Sequence, residues 1–295
     1  MKDIFSTYHP IINFTYFVAV ILFSMFSMNP VFLGISVVAS FAYSIWLNGR
    51  GAVKFNLMFI MPMIVTVAIL NPLFSHGGVT ILGYLGDNPI TKESILYGVA
   101  TGFMLASVIL WFSCYNSVMT SDKFIYLFGR IMPAMSLLFS MVLRFVPRFK
   151  AQIRQISNAQ KCVGRDVSSG TFLQRARCGI KILSVMITWA LENSIETADS
   201  MRARGYGLRG RTSFSIYRMD SRDRGMLAII SLCILILGMG AVDGWNSMQY
   251  FPSVKGLEIS GFGLLVYASY FFLCTLPLML DVKEGIKWKL LSSKI

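Results

Sequence analysis

Runs without any Asp, Glu, Lys or Arg set the pattern of this chain: 4–49, 55–86, 94–121, 225–242 and 259–280. An uncharged apolar run of about 18 residues or more is too long for an ordinary core helix and matches the length that crosses a bilayer as a helix. The first run is long enough for two crossings, and Asn29-Pro30 divides it, so spans are predicted over 11–28 and 31–47, paired as a hairpin. Asn48-Gly49-Arg50-Gly51 reads as a turn. The second run predicts a span over 55–70, bent at Pro62 and ended by Asn71-Pro72. The stretch 73–92, rich in Gly and holding Asp87-Asn88-Pro89, reads as a loop, and Thr91 is placed to cap a fourth span over 94–116. The last two runs predict spans over 226–242 and 260–280. The N-terminal apolar run resembles a secretion signal, but no small-x-small cleavage pattern follows it, so it is expected to stay as the first span.

Between the fourth and fifth spans the pattern changes. Residues 124–146 are apolar but interrupted by Arg130, Pro133 and Arg144, which predicts a helix at the inner interface that turns at Pro147. From Arg148, apolar residues Ile153, Ile156, Ala159 and Val163 recur at helical spacing on one face, and Gly164 stands where a left-handed residue would stop the helix. Ser168-Ser169-Gly170 is a turn, and Thr171 with Gln174 has the spacing of a capping box. The helix they start runs to Arg204, about 33 residues or about 50 Å, and Gly205 ends it. The expected fold is therefore an all-α membrane protein of about six transmembrane helices, with a cytoplasmic module of about three helices inserted after the fourth span. The division is 1–120, 121–224 and 225–295.

Charge gives this architecture an orientation. Of 27 Lys and Arg residues, 16 fall between Arg144 and Arg224, and the net charge is +13. With the N-terminus inside, the outer loops (29–30, 71–93 and 244–259) hold only Lys92 and Lys255, and the other 25 basic residues lie inside or at the inner interface. Cytoplasmic loops concentrate Lys and Arg, so the protein is expected in the cell membrane with both termini cytoplasmic. Nucleic acid is not the expected partner: no recognition motif is present, and the basic residues follow the spans. The five Cys, at 114, 162, 178, 233 and 274, form no Cys-x-x-Cys pair and read as reduced, structural thiols. His9 and His76 are too few for a metal site and read as polar loop residues.

Catalytic patterns are missing. The sequence has no Gly-x-x-x-x-Gly-Lys-Ser/Thr phosphate loop, no Gly-x-Ser-x-Gly, no His-Glu-x-x-His and no Asp pair within a span. No catalytic residue, metal ligand or cofactor is expected. Ion-coupled carriers usually keep carboxylates or cations inside the membrane, and these runs offer only Tyr, Asn, Ser and Thr. A stand-alone channel or carrier is the competing class, and a membrane-bound signalling or assembly factor is a third.

Several segments point to a family. They include Asn71-Pro72-Leu73-Phe74-Ser75 with the following Gly-Gly-Val-Thr, Thr91-Lys92-Glu93, Tyr97-Gly98, Met141 to Arg148, Ile156-Ser157-Asn158-Ala159-Gln160 and, most specifically, Met201-Arg202-Ala203-Arg204-Gly205-Tyr206-Gly207. With these the chain resembles, over most of its length, the transmembrane T component of energy-coupling factor transporters. The resemblance implies a non-catalytic scaffold that joins two cytoplasmic ABC-type ATPase subunits to a substrate-binding membrane subunit for vitamin or metal-ion uptake. It also implies two Ala-Arg-Gly signatures at the ends of coupling helices, each docking into one ATPase. The second is intact as Ala203-Arg204-Gly205. The first is replaced by Cys162-Val163-Gly164, with Val163 at the Arg position and Arg165 just past the Gly. Either Arg165 substitutes there or the tip docks by apolar packing. Arg144, Pro147 and Arg148 are candidates for a hinge of the coupling helices or for contact with lipid phosphates.

Overall fold

The structure, a computed structural model, describes residues 3–75, 77–85, 88–129, 132–164, 171–208, 217–254 and 260–292. Its helices are α1 (Pro10–Phe26), α2 (Pro30–Asn48), α3 (Arg50–Phe74), α4 (Lys92–Val118), α5 (Ser121–Gly129), α6 (Pro133–Cys162), α7 (Phe172–Ala203), α8 (Ser221–Val242) and α9 (Gly261–Ser292). A short antiparallel hairpin, β1 (Ile81–Leu85) and β2 (Asn88–Thr91), lies between α3 and α4. Five helices are long and apolar enough to cross a membrane: α2, α3, α4, α8 and α9. The shorter apolar helix α1 has 17 residues. The chain divides into two compact units, Met1–Phe124 with Tyr217–Ile295, and Ile125–Ile216.

Local chemistry explains where the helices start. Pro10 and Pro30 occupy the first turns of α1 and α2, where a missing N–H costs nothing. The His9 Nδ1 accepts from the Ile11 amide at 3.3 Å, and Asn29 Oδ1 from the Val31 amide at 3.0 Å. His9 is thus a helix cap rather than a loop residue, and His76 lies outside the described residues. The Thr91 hydroxyl accepts from the Ser94 amide and caps α4 as expected. Gly49, at φ 71°, closes α2 and lets α3 begin at the next residue.

Two expected breaks are absent: α3 continues through Pro72 to Phe74, and α6 runs through Pro147. α3 also contains Pro62, and α9 contains Pro277 and extends well beyond the expected end at Leu280. Each proline removes one backbone donor, and a packed or membrane-embedded helix tolerates that loss because its other backbone bonds stay intact. The β-hairpin was read as loop; Thr80 donates its amide and its hydroxyl to the Glu93 carboxylate, which ties the strand entrance to the first turn of α4.

In the larger unit, aromatic and aliphatic side chains of α1, α2, α4, α8 and α9 share one core, including Tyr16, Phe17, Tyr43, Trp111, Leu237 and Tyr270. A polar cluster sits within it. Ser24 Oγ hydrogen-bonds Ser36 Oγ at 2.8 Å and Ser107 Oγ at 2.6 Å, and Trp111 Nε1 donates to Ser36 Oγ at 3.0 Å. These bonds tie α1, α2 and α4 together. α3 joins by close approach. Gly98 and Gly102 of α4 face it, and a methyl group at Gly98 would lie 2.8 Å from Asn71 Cβ and 3.2 Å from Ala68 Cα. Glycines four apart are a way for two membrane helices to pack backbone to backbone.

The loops collect in two groups. Asn29 Nδ2 donates to the Trp245 carbonyl and the Tyr267 hydroxyl, Tyr250 OH donates to the Met28 carbonyl, and the Tyr97 ring packs on Tyr250 and Phe251. The second group brings residues 3–9 against 118–123, 222 and 281. Lys123 Nζ donates to the Ser6 and Val118 carbonyls at 2.6 and 3.0 Å, and the Arg222 guanidinium stacks over the Tyr8 ring at 4.3 Å.

Replacing Gly98 with Leu should push α3 and α4 apart. We expect a loss on the order of 1–3 kcal/mol, read as a lower unfolding temperature of the detergent-purified protein. Gly34→Leu, where nothing lies within 4 Å of the added atom, should leave it unchanged.

Candidate docking site

The smaller unit, Ile125–Ile216, is built on α6 and α7. Its buried core is small: Ile156 of α6 meets Cys178, Ile182 and Met186 of α7, with Phe149 and Trp189 packed against them. Phe149 and Trp189 meet edge to face at 5.6 Å, and Phe145 stacks on Phe149 at 5.9 Å. The Arg148 guanidinium lies over the Trp189 ring, 5.5 Å from its centroid. Arg148 therefore helps hold α6 to α7 where the helices meet, while Arg144 is exposed one turn earlier and Pro147 sits inside a continuous helix.

Both helices end in glycine at positive φ. At the end of α7, Arg204 is the C-cap and Gly205 has φ 80°. The Gly205 amide donates to the Arg202 carbonyl, and the Tyr206 amide reaches back to Met201, each at 3.0 Å. This pair of bonds is a Schellman closure, and it satisfies carbonyls that the helix end leaves open. The Leu208 side chain folds against Gly205, where an added methyl would lie 3.1 Å from Leu208 Cδ1. Ala203 and Arg204 are exposed, and the Arg204 side chain makes no ion pair among the described residues.

The end of α6 repeats the plan with other side chains. Cys162 is the last helical residue, Val163 the C-cap, and Gly164 has φ 76° with its amide donating to the Lys161 carbonyl at 2.9 Å. Cys162 is exposed and Val163 is 69% exposed. Arg165 lies outside the described residues. Beyond the shared core, α6 extends about 10 Å from Ile156 and α7 about 20 Å from Trp189, at 1.5 Å per residue. The two sets of candidate residues thus sit on separate arms held by one small core. Trp189 was missed in the sequence reading, although Phe145, Phe149 and Ile156 at helical spacing already marked the face it packs against.

Residues 5–214, which include both tips, match the CbiQ family, described as cobalt transport protein. The chain belongs to this family, the T components of energy-coupling factor transporters. An energy-coupling factor transporter transmembrane protein EcfT of Listeria innocua is 30% identical over 212 residues, 66% of this chain and 78% of that protein. One from Bacillus selenitireducens is 27% identical over 226 residues, 72% of this chain and 83% of that protein. One from Lactobacillus helveticus reaches 34%, over 106 residues and 36% of each chain. This T component is accordingly a membrane component of a transporter.

The closure of α7 carries its own test. Gly205→Ala places a side chain in the left-handed region, at roughly 1–2 kcal/mol, and should open the last turn. Hydrogen exchange at the Tyr206 amide should speed up about tenfold. Gly179→Ala, in mid-helix with open space around it, should not change that exchange.

Proposed function

We propose that this T component is the non-catalytic scaffold of an energy-coupling factor importer, in which α6 and α7 act as coupling helices. Two cytoplasmic ABC-type ATPase subunits would hold the two tips, and a separate membrane subunit would bind the substrate, a micronutrient such as a vitamin or a metal ion. The observation that carries this reading is the α7 end, a hydrogen-bonded helix terminus that offers an exposed Arg204, without an ion pair among the described residues, beside Ala203 and Gly205. A second observation supports it. α6 and α7 keep many large apolar side chains exposed, among them Leu138, Phe139, Leu183 and Leu191, around a core of only four buried residues. Apolar surface on that scale suits partner proteins or membrane.

The mechanism follows from helix-in-groove docking joined to rigid-body motion. ATP binding closes the ATPase pair, the tips travel with their grooves, and the small core at Phe149, Ile156 and Trp189 converts tip movement into relative movement of α6 and α7. That movement shifts the substrate-binding subunit in the bilayer. Residues 121–224 then form the cytoplasmic coupling region, and 1–120 with 225–295 the membrane part. The connections at 29–30, 71–93 and 244–259 would lie outside, and the N-terminal segment with 118–123 and 281 inside, which agrees with the bias of Lys and Arg.

Arg204→Ala should leave the protein inserted and weaken capture of one ATPase by roughly 1.5–3 kcal/mol, on the order of 10- to 100-fold in affinity. Arg204→Lys should restore it in part, because a point charge replaces a planar fork poorly. At the first tip Arg165 is the substitute for the missing Arg. Arg165→Ala should loosen the other ATPase by a similar amount, and adding Val163→Arg should restore binding. Affinity-tagged copurification reads both. Full ATPase retention in Arg204→Ala would reject the docking role, and full retention in Arg165→Ala would assign the first tip to apolar packing of Val163.

A further inference from the structure

At one end of the larger unit, two carboxyl groups face each other in a site that no part of the transport reading uses. Asp281 of α9 is 3% exposed, and its Oδ1 accepts from the Ile4 amide at 2.9 Å. Asp3 Oδ1 accepts from the Phe5 amide at 3.1 Å, and the Asp3 carbonyl accepts from the Ser6 hydroxyl at 2.6 Å. The Asp3 and Asp281 side chains are within hydrogen-bonding reach of each other, and the remaining oxygen of each, Oδ2, is buried with no donor. The Tyr43 hydroxyl of α2 faces Asp3 as well; Tyr43 is wholly buried, and this hydroxyl also has no hydrogen-bond partner.

Among the described residues, Lys123 is a cation that acts on Asp3, and it does not neutralise the pair. Lys123 of α5 is only 6% exposed, and its ammonium has three donors. Two go to the Ser6 and Val118 carbonyls. The third reaches the Asn13 amide oxygen at 3.1 Å, in the amide orientation that also lets Asn13 donate to the Phe5 carbonyl. Lys123 therefore acts on Asp3 through space alone. Among the described residues, the Cys114 thiol of α4 also interacts electrostatically with Asp3. Two adjacent carboxylates, Asp281 buried and Asp3 half-buried, cannot both stay ionised cheaply, whereas a carboxyl and a carboxylate form a strong hydrogen bond.

We propose that Asp3 and Asp281 form a proton-binding site, with one proton shared between the two carboxyl groups, which latches the N-terminal segment onto α9. The shared proton gives one Oδ2 a donor and the other an acceptor, filling both vacancies at once. With Lys123 alongside, the cluster is then electrically neutral. Loss of the proton to water leaves two carboxylates in contact, and the contacts from Ile4 to α9 are set against that repulsion.

The direction of the pH response is fixed. Burial, then the Asp281 charge beside it, raises the Asp3 carboxyl from 3.8 to about 6. That is on the order of a hundredfold tighter proton binding than an ordinary carboxyl. Because the value in the folded protein is the higher one, the latch is fully formed below pH 3.8 and is lost as pH rises through about 6.

The test uses the full-length protein in lipid nanodiscs, with Cys162→Ser to remove the exposed native thiol and a spin label on Thr7→Cys. Infrared spectroscopy between pH 5 and 8 should show a protonated-carboxyl band that disappears with a midpoint near 6. Label mobility at position 7 should rise with the same midpoint. Asp281→Asn supplies a permanent donor in place of the proton while still accepting from Ile4, so the band should vanish and the label should stay immobile at every pH. Asp3→Asn should behave alike and covers the case in which the first variant does not fold. Three results would overturn the proposal: no titrating band in the parent protein, an unchanged pH response in the foldable Asn variant, or a midpoint that moves when sodium replaces choline. The last would mean that a metal cation occupies the pair.

Discussion

The absence of water from the bilayer core governs this molecule. A polar group there must find its partner inside the protein, because nothing else can supply one. The Ser24, Ser36, Ser107 and Trp111 cluster is the local answer: three helices are placed so that each hydroxyl and the indole N–H is used. The glycine contacts of α4 with α3 solve a related problem. Apolar lipid gives helices no hydrophobic reason to associate, so close backbone packing and these short hydrogen bonds set the arrangement. In the smaller unit, α6 and α7 keep large apolar side chains and Arg204 exposed.

The two tips illustrate how backbone and side-chain roles separate. Gly164 and Gly205 give α6 and α7 nearly the same left-handed stop, at φ 76° and 80°. The side chains carried on those stops differ, an exposed Arg204 at one and an exposed Val163 at the other. The backbone stop is thus alike at the two ends, and the difference lies in the side chain that each displays. Arg148 over Trp189 joins the two helices where they pack against each other.

Much of the helical order was legible in the sequence because its signals are local. Charge-free runs marked the spans; Thr91, Gly164 and Gly205 marked ends, and Thr171 with Gln174 started α7, the Gln174 Oε1 accepting from the Thr171 amide at 3.1 Å. The prolines misled. Pro72 and Pro147 each cost one backbone hydrogen bond, and the helix continues because the other bonds stay intact, which no local pattern reveals. The hairpin at 81–91 was hidden by its glycines, although Val79-Thr80-Ile81-Leu82 has strand character. Least legible were the long-range pairings. Asp3 and Asp281 stand 278 positions apart, outside the runs that identify the spans, and only the fold brings them together.

The proposed role of this T component is to transmit movement while transporting nothing by itself. Its most direct test is uptake into lipid vesicles holding the purified protein alone, the protein with two ATPase subunits, or the protein with both ATPases and a substrate-binding membrane subunit. ATP-dependent uptake only in the complete set, reduced in that set by Arg204→Ala, is the predicted result. Substrate accumulation in vesicles that hold this protein alone would contradict the account.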